Sequence, residues 1–197
     1  MNRIKILDCT LRDGGYINKW EFGEHVIKSI ISKLNSAKID IIECGFLTET
    51  IANQKYSLFS DVISVEKCLP SNNRYSMFAA MIAIGEKEIH PSKLQNCNHS
   101  GMCGIRLTFH KHEIKKALEW ASIIMEKGYN VFMQPVGTIS YSDKELLDLI
   151  EDMNQLKPYA FYIVDTLGSM SKNELLHIFY IIDANLNPQI HLGFHPH

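Results

Sequence analysis

The sequence has no apolar run near the ~18 residues that a membrane-spanning helix needs. It also has no excess of one charge: 20 Lys and Arg stand against 22 Asp and Glu, scattered singly or in short clusters, for a formal net charge of −2. That balance argues against a nucleic-acid footprint or a polybasic membrane patch. The opening residues Met1-Asn2-Arg3-Ile4-Lys5-Ile6 lack the apolar segment of a signal peptide, so a cytoplasmic protein is expected. The five cysteines (Cys9, Cys44, Cys68, Cys97, Cys103) are odd in number and lack CxxC spacing, which argues against a disulfide framework. Cys97, His99 and Cys103 lie close together, but their spacing matches no ordinary structural zinc pattern and no fourth ligand is evident. Neither GxGxxG nor a P-loop follows the first strand, so the dinucleotide and nucleotide versions of an open α/β sheet lack their chemistry here.

What is present is an alternation of short apolar, β-branched runs with longer stretches of helical period. Strands are predicted over residues 5–10, 40–44, 75–82, 102–108, 130–134, 160–164 and 189–194. Helices are predicted over 22–36, 58–68, 111–127, 142–156 and 171–186, with a short helix and loop within 86–100 and a turn at Ser71-Asn72-Asn73. Ile27, Ile30, Ile31 and Leu34 form one helical face, and Gly128 stands where a C-cap is needed. Ser142 with Glu145, and Ser171 with Glu174, each carry the capping-box signature. Seven nearly continuous apolar strands joined by helical crossovers imply an α/β protein with a parallel sheet covered on both faces. Polar residues gather where several strands end, which favours a (β/α)8 TIM barrel over an open doubly wound sheet. Such a barrel typically takes ~250 residues, whereas this sequence stops with its seventh strand. Residues 1–197 are therefore expected to form one barrel domain missing its eighth unit, the front part of a longer protein.

Two stretches carry chemistry. Asp8-Cys9-Thr10-Leu11-Arg12-Asp13-Gly14-Gly15-Tyr16 leaves the first strand with an arginine and a carboxylate side by side, and His195-Pro196-His197 sets two imidazoles at i, i+2 after the last. A carboxylate and two histidines form a ligand set for a divalent metal with positions left open for substrate. Competing readings are structural. Asp13-Gly14 could be a plain turn, and Arg12 could pair with Asp8 or Glu43. Arg106 could bridge carboxylates across strand ends, Asp165 could serve the fold, and His110 could cap a helix.

The segments Leu11-Arg12-Asp13-Gly14-Gly15, Ile42-Glu43-Cys44-Gly45-Phe46, Ile105-Arg106-Leu107-Thr108, Tyr162-Ile163-Val164-Asp165-Thr166-Leu167-Gly168 and Gly193-Phe194-His195-Pro196-His197 resemble, in order and spacing, the DRE-TIM metallolyase (HMGL-like) superfamily. Its members include 4-hydroxy-2-oxovalerate aldolase, 3-hydroxy-3-methylglutaryl-CoA lyase and the isopropylmalate and homocitrate synthases. Arg106…His110 and Asp165-Thr166-x-Gly168-x-Met170-Ser171 look most like the aldolase branch. The resemblance implies that Asp13, His195 and His197 ligate a divalent metal, Mn2+ or Mg2+, with Zn2+ or Co2+ as alternatives. It implies that Arg12 steadies an enolate oxygen, that Thr166 holds a substrate carboxylate, and that Glu43 and Arg106 are polar residues of the substrate site. The expected activity is a metal-dependent aldolase-type lyase acting beside a 2-oxo acid such as pyruvate, with an aldehyde as the second partner. A Claisen-type acyltransferase and a non-catalytic metal- or ligand-binding barrel are the alternatives, and assembly as a homo-oligomer is left open. One position departs from the family. Three residues after the metal aspartate the aldolases carry a histidine base and the other branches glutamine, whereas this sequence has Tyr16, a poor base at neutral pH that can still orient or protonate an oxygen as a catalytic residue; Tyr16, His110 and a metal-bound water are the candidates for the base.

Overall fold

A computed structural model describes residues 3–51, 53–72, 75–98 and 101–197. Asn73 of the predicted turn, and His99 of the Cys97–His99–Cys103 cluster, lie outside these residues. The strands are β1 (Leu7–Asp8), β2 (Ile41–Leu47), β3 (Leu58–Phe59), β4 (Met77–Ala83), β5 (Met102–Phe109), β6 (Asn130–Pro135), β7 (Ala160–Val164) and β8 (His191–His195). The helices are α1 (Thr10–Asp13), α2 (Gly15–Asn18), α3 (Glu24–Ser36), α4 (Val62–Glu66), α5 (Ile114–Glu126), α6 (Asp143–Leu156) and α7 (Lys172–Asn185), with 3-10 turns at Pro91–Lys93, Lys111–Glu113 and Thr138–Ser140.

All strand pairs are parallel, in the order β1-β2-β4-β5-β6-β7-β8, with β3 added to the upper part of β2. The sheet curls into a barrel-like wall. Among the described residues β1 and β8 are not paired with each other. Two contacts nevertheless bring its ends toward one another. Lys5 Nζ donates to the Tyr159 hydroxyl at 2.7 Å on one side, and Arg12 Nη2 lies 3.5 Å from His195 Nε2 on the other.

Because side chains alternate along a strand, each strand serves two layers. Outward residues such as Ile42, Ile82, Ile105, Val131 and Phe161 pack beneath the helices. There α5 contributes Ala117, Trp120, Ala121 and Ile124, and α6 contributes Leu146, Leu149, Ile150 and Met153, each stripe at i, i+3, i+4, i+7. Inward residues form a smaller cluster of Ile41, Ala79, Phe132, Ala160, Tyr162 and Val164. Both capping boxes form: the Ser142 hydroxyl accepts from Glu145 N and the Ser171 hydroxyl from Glu174 N, while each glutamate accepts the serine N–H at 2.8 Å.

Several predicted boundaries move for local reasons. The first strand ends at Asp8 because its carboxylate accepts from both the N–H and the hydroxyl of Thr10, at 3.0 Å each, turning the chain into α1. Gly23, at φ +86°, delays α3 to Glu24. The segment 58–68 is not one helix. Leu58–Phe59 pairs with β2, and Asp61 caps only the short α4 by accepting from Ser64 N at 2.7 Å. The strand predicted over 40–44 runs on to Leu47, bulging at Gly45, where φ is +145° and a Cβ would meet Ser57 O at 2.1 Å. The first turn of the helix predicted over 111–127 is a 3-10 turn.

Candidate metal and substrate site

The site begins with the short turn of α1. Cys9 O accepts from Arg12 N at 3.0 Å and from Asp13 N at 2.8 Å, so Cys9 and Asp13 stand one helical turn apart on the same face. Gly15 then lets the chain pass under Trp20: a Cβ there would come within 2.0 Å of the indole, whose Nε1 donates to Arg12 O at 2.8 Å. Gly15 is thus needed for packing, its backbone being one that any residue could adopt.

Arg12 is held on two sides. Its Nε donates to Glu43 Oε2 at 2.9 Å and its Nη1 to Asp13 Oδ1 at 2.6 Å. Burial works against its charge, but Glu43 and Asp13 outweigh that and keep the guanidinium firmly protonated. Glu43 Oε2 also accepts from Arg106 Nη1 at 2.6 Å, and Arg106 Nη2 donates to Gln134 Oε1 at 2.5 Å. Glu43 and Arg106 are both fully buried. They lie beneath the cavity rather than along its wall and brace Arg12, which does line it. The pairing of charges across strand ends, one of the structural readings of the sequence, is present in the structure.

From the other end of the sheet, β8 delivers His195, which is 9% exposed, and His197 follows just beyond the strand. Their rings meet edge to face with centroids 4.7 Å apart. Burial first, then Arg106 and Arg12, pushes the His195 imidazolium down to about 4, so the ring is neutral near pH 7. His197 Nδ1–H donates to Asp165 O at 2.7 Å, which leaves Nε2 with its lone pair, 3.7 Å from Asp13 Oδ2. The Asp165 carboxylate accepts from Ser169 N and Met170 N and shapes the loop after β7, the structural role weighed for it. Thr166 Oγ1 accepts from Gly137 N at 2.8 Å.

These elements enclose an open cavity of about 520 Å³ above the sheet. Arg12, Asp13, Tyr16, Thr166, His195 and His197 are among its polar lining, with Gln134 on the floor. Phe46, Met81, Ala83, Ile84, Phe109 and Val136 form an apolar wall. Tyr16 stands at the mouth, 59% exposed, with its ring edge-on to Trp20 at 5.0 Å. Partial burial raises its hydroxyl above the ordinary tyrosine value, so it stays protonated. His110, also lining the mouth, has Nε2 3.8 Å from Glu86 Oε1, and its backbone N–H donates to Glu113 at the start of the next helical turn.

The donor chemistry fits a divalent cation. Ligand atoms of Cys9, Asp13 and His195 all lie within 4.8 Å of one another. Two donors on one ion can be no further apart than twice a bond length, ~4.2–4.6 Å for the usual ~2.1–2.3 Å bonds, so small side-chain rotations suffice. His197 Nε2 lies 3.7 Å from Asp13 Oδ2, which Arg12 leaves free, but His197 is not among the three residues whose donors cluster this closely. Cys9 was not among the residues singled out from sequence. Its signal is the i, i+4 relation to Asp13, hidden while that stretch reads as strand.

The HMGL-like family model matches residues 3–197. A 4-hydroxy-2-oxovalerate aldolase of Geobacillus genomosp. 3 is 23% identical over 98% of this chain and 57% of its own length. The N-terminal domain of a Bacteroides vulgatus protein described as an aldolase superposes with a TM-score of 0.73 at 22% identity, over 98% of this chain and 64% of that one. The HMG-CoA lyase of Bacillus subtilis does so with a TM-score of 0.74 at 12% identity, over 100% of this chain and 69% of that one. This chain spans a little over half the length of the curated relatives it matches. The site therefore sits in the fold those structures share, and the chain belongs to the HMGL-like family.

Proposed function

We propose that the protein is a divalent-metal-dependent aldolase-type lyase that makes or breaks the carbon–carbon bond adjacent to a 2-oxo acid, releasing or consuming a pyruvate-like acid and an aldehyde. The single observation that carries this reading is the convergence of Arg12, Asp13, His195 and His197 on one cavity from opposite ends of the sheet. Asp13, His195 and His197 would hold the cation, with Mn2+ or Mg2+ as the first choices. Once bound, the cation supplies Lewis-acid polarisation of the 2-oxo group.

The chain's own residues do the rest. Arg12 has five N–H groups, and its three protein contacts leave others free for an oxygen that gains negative charge as the bond breaks. Glu43 and Arg106 fix the guanidinium plane, so little reorganisation is needed when that charge appears. The Thr166 hydroxyl, which accepts from Gly137 N, keeps its own proton to donate to the substrate carboxylate. In the cleavage direction the substrate's 4-hydroxyl loses its proton and the C3–C4 electron pair passes to the 2-oxo-acid fragment. Protonation at C3 then completes it. Tyr16 remains protonated and suits donating or orienting, while His110, backed by Glu86, suits accepting the hydroxyl proton. The names of the aldolase relatives support this choice of reaction.

The test is to incubate the protein with Mn2+ or Mg2+ and pyruvate in D2O and measure deuterium in the pyruvate methyl group by mass spectrometry. Exchange that requires Asp13 is expected. Exchange no faster than in Asp13→Ala would defeat the reading.

A further inference from the structure

We propose that Cys9 is itself a ligand of this cation, a thiolate that biases the site toward thiophilic ions such as Zn2+, Co2+ and Fe2+ and away from Mg2+. The inference rests on the cation site of the proposed function and changes what that site would select. The geometry is local and specific. Cys9 precedes the single turn of α1 and Asp13 closes it, so the thiol and the carboxylate share one face, and His195 from β8 completes a group of donors within 4.8 Å.

Carboxylates alone favour Mg2+, Ca2+ and Mn2+, and imidazoles favour Zn2+, Cu2+, Fe2+ and Ni2+. A thiolate shifts preference further toward soft or borderline ions. A set of one thiolate, one carboxylate and one imidazole is therefore poorly matched to Mg2+, which keeps oxygen ligands and several waters. Binding exchanges the S–H bond for an S–metal bond and releases the proton to solvent, with no electron transfer. The remaining cysteines do not compete for this role. Cys44 and Cys68 belong to the outer core beneath the helices, and Cys97 and Cys103 lie near the start of β5, at the opposite end of that strand from Thr108 and Phe109, which line the cavity.

The experiment is a Co2+ titration of the metal-stripped protein followed by near-ultraviolet absorption, where a sulfur-to-cobalt charge-transfer band marks a thiolate ligand. It is run on the wild type, on Cys9→Ser, and on the paired control Cys97→Ser/Cys103→Ser. Expected is a band that saturates at one equivalent, is absent in Cys9→Ser and persists in the paired control. Chelator competition should show Zn2+ affinity falling by about tenfold or more in Cys9→Ser, since even outer-sphere partners of a metal ligand contribute that much. Mg2+ affinity should change far less. Stoichiometric Co2+ binding without the band, or a band surviving in Cys9→Ser, overturns the thiolate inference while leaving the cation site standing. No Co2+ binding by the wild type removes both.

Discussion

Replacing Glu43 by glutamine removes one negative charge from a place where two arginines depend on it. Glu43 Oε2 accepts from Arg12 Nε at 2.9 Å and from Arg106 Nη1 at 2.6 Å, and Glu43 and Arg106 are wholly buried. Each hydrogen bond to a charged group contributes ~1.5–3 kcal/mol net, and removing one partner of a buried ion pair costs about 3–5 kcal/mol. Glutamine keeps the shape and one acceptor oxygen, so a loss of about 3–5 kcal/mol is expected rather than the full sum of two bonds. Against a typical total stability of ~5–15 kcal/mol, that is a large fraction. With a urea slope of ~2–3 kcal/mol/M, the unfolding midpoint should fall by about 1–2.5 M, read by tryptophan fluorescence. Arg106→Met alone should also destabilise, because it leaves Gln134 Oε1 without its donor. Combined with Glu43→Gln, it should be less damaging than the sum of the two, since the second change removes a cation that the first had stranded. A drop below about 1 kcal/mol in Glu43→Gln, or strict additivity in the double variant, would refute the idea that this carboxylate holds both guanidinium groups.

Other consequences are quicker to test. His195 binds its proton far more weakly in the folded protein, at about 4, than its ordinary value of 6.5. Between those values the unfolded chain takes up a proton and the metal-free folded chain does not. Its contribution to stability is thus complete above pH 6.5 and fades as the pH falls through about 4. Thermal melts across that range should show the decline, and His195→Gln should flatten it; an identical pH profile in the variant would contradict the assignment. Gly15→Ala drives a Cβ into the Trp20 indole, at 2.0 Å in the present geometry. It should destabilise by ~1–3 kcal/mol, the usual penalty for overpacking, and shift the tryptophan emission; a wild-type melt would be the contrary result. Tyr16→Phe should retain deuterium exchange into pyruvate at a rate close to wild type, because a hydroxyl that stays protonated does not serve as the base. Loss of exchange equal to that of Asp13→Ala would give Tyr16 the larger role.

The parts of this protein that are legible in its sequence are those with a repeating signal. β7 spans Ala160–Val164 as its apolar run predicts, and α6 and α7 start where their serine–glutamate pairs say they should. Arg12, Asp13, His195 and His197, which line one cavity, could be singled out because polar residues ending apolar strands need a reason to be there. Whether Glu43 and Arg106 touched substrate or one another could not be read that way. A charge in an apolar strand announces only that it must be paired, and the partner depends on which strands become neighbours. Cys9 was hidden for a different reason. A four-residue helix such as α1 is too short to show a period, and its existence depends on Asp8 accepting from Thr10. The same shortness hid α4 and the two-residue β3.

The polar contacts that hold the site's residues fall into two networks, and that bears on how the site could respond to a cation. On one side a chain of polar contacts runs from Asp13 to Arg12, Glu43, Arg106 and Gln134, linking the end of β1 to β2, β5 and β6. On the other, Asp165 N donates to His195 O and His197 Nδ1 to Asp165 O, linking β7 to β8 and the segment beyond. At the mouth of the site the two networks approach each other directly where Arg12 Nη2 comes within 3.5 Å of His195 Nε2 and His197 Nε2 within 3.7 Å of Asp13 Oδ2. A cation drawing on both networks would join them through small rotations of donors that already lie within 4.8 Å of one another, Cys9 and Asp13 from the first and His195 from the second.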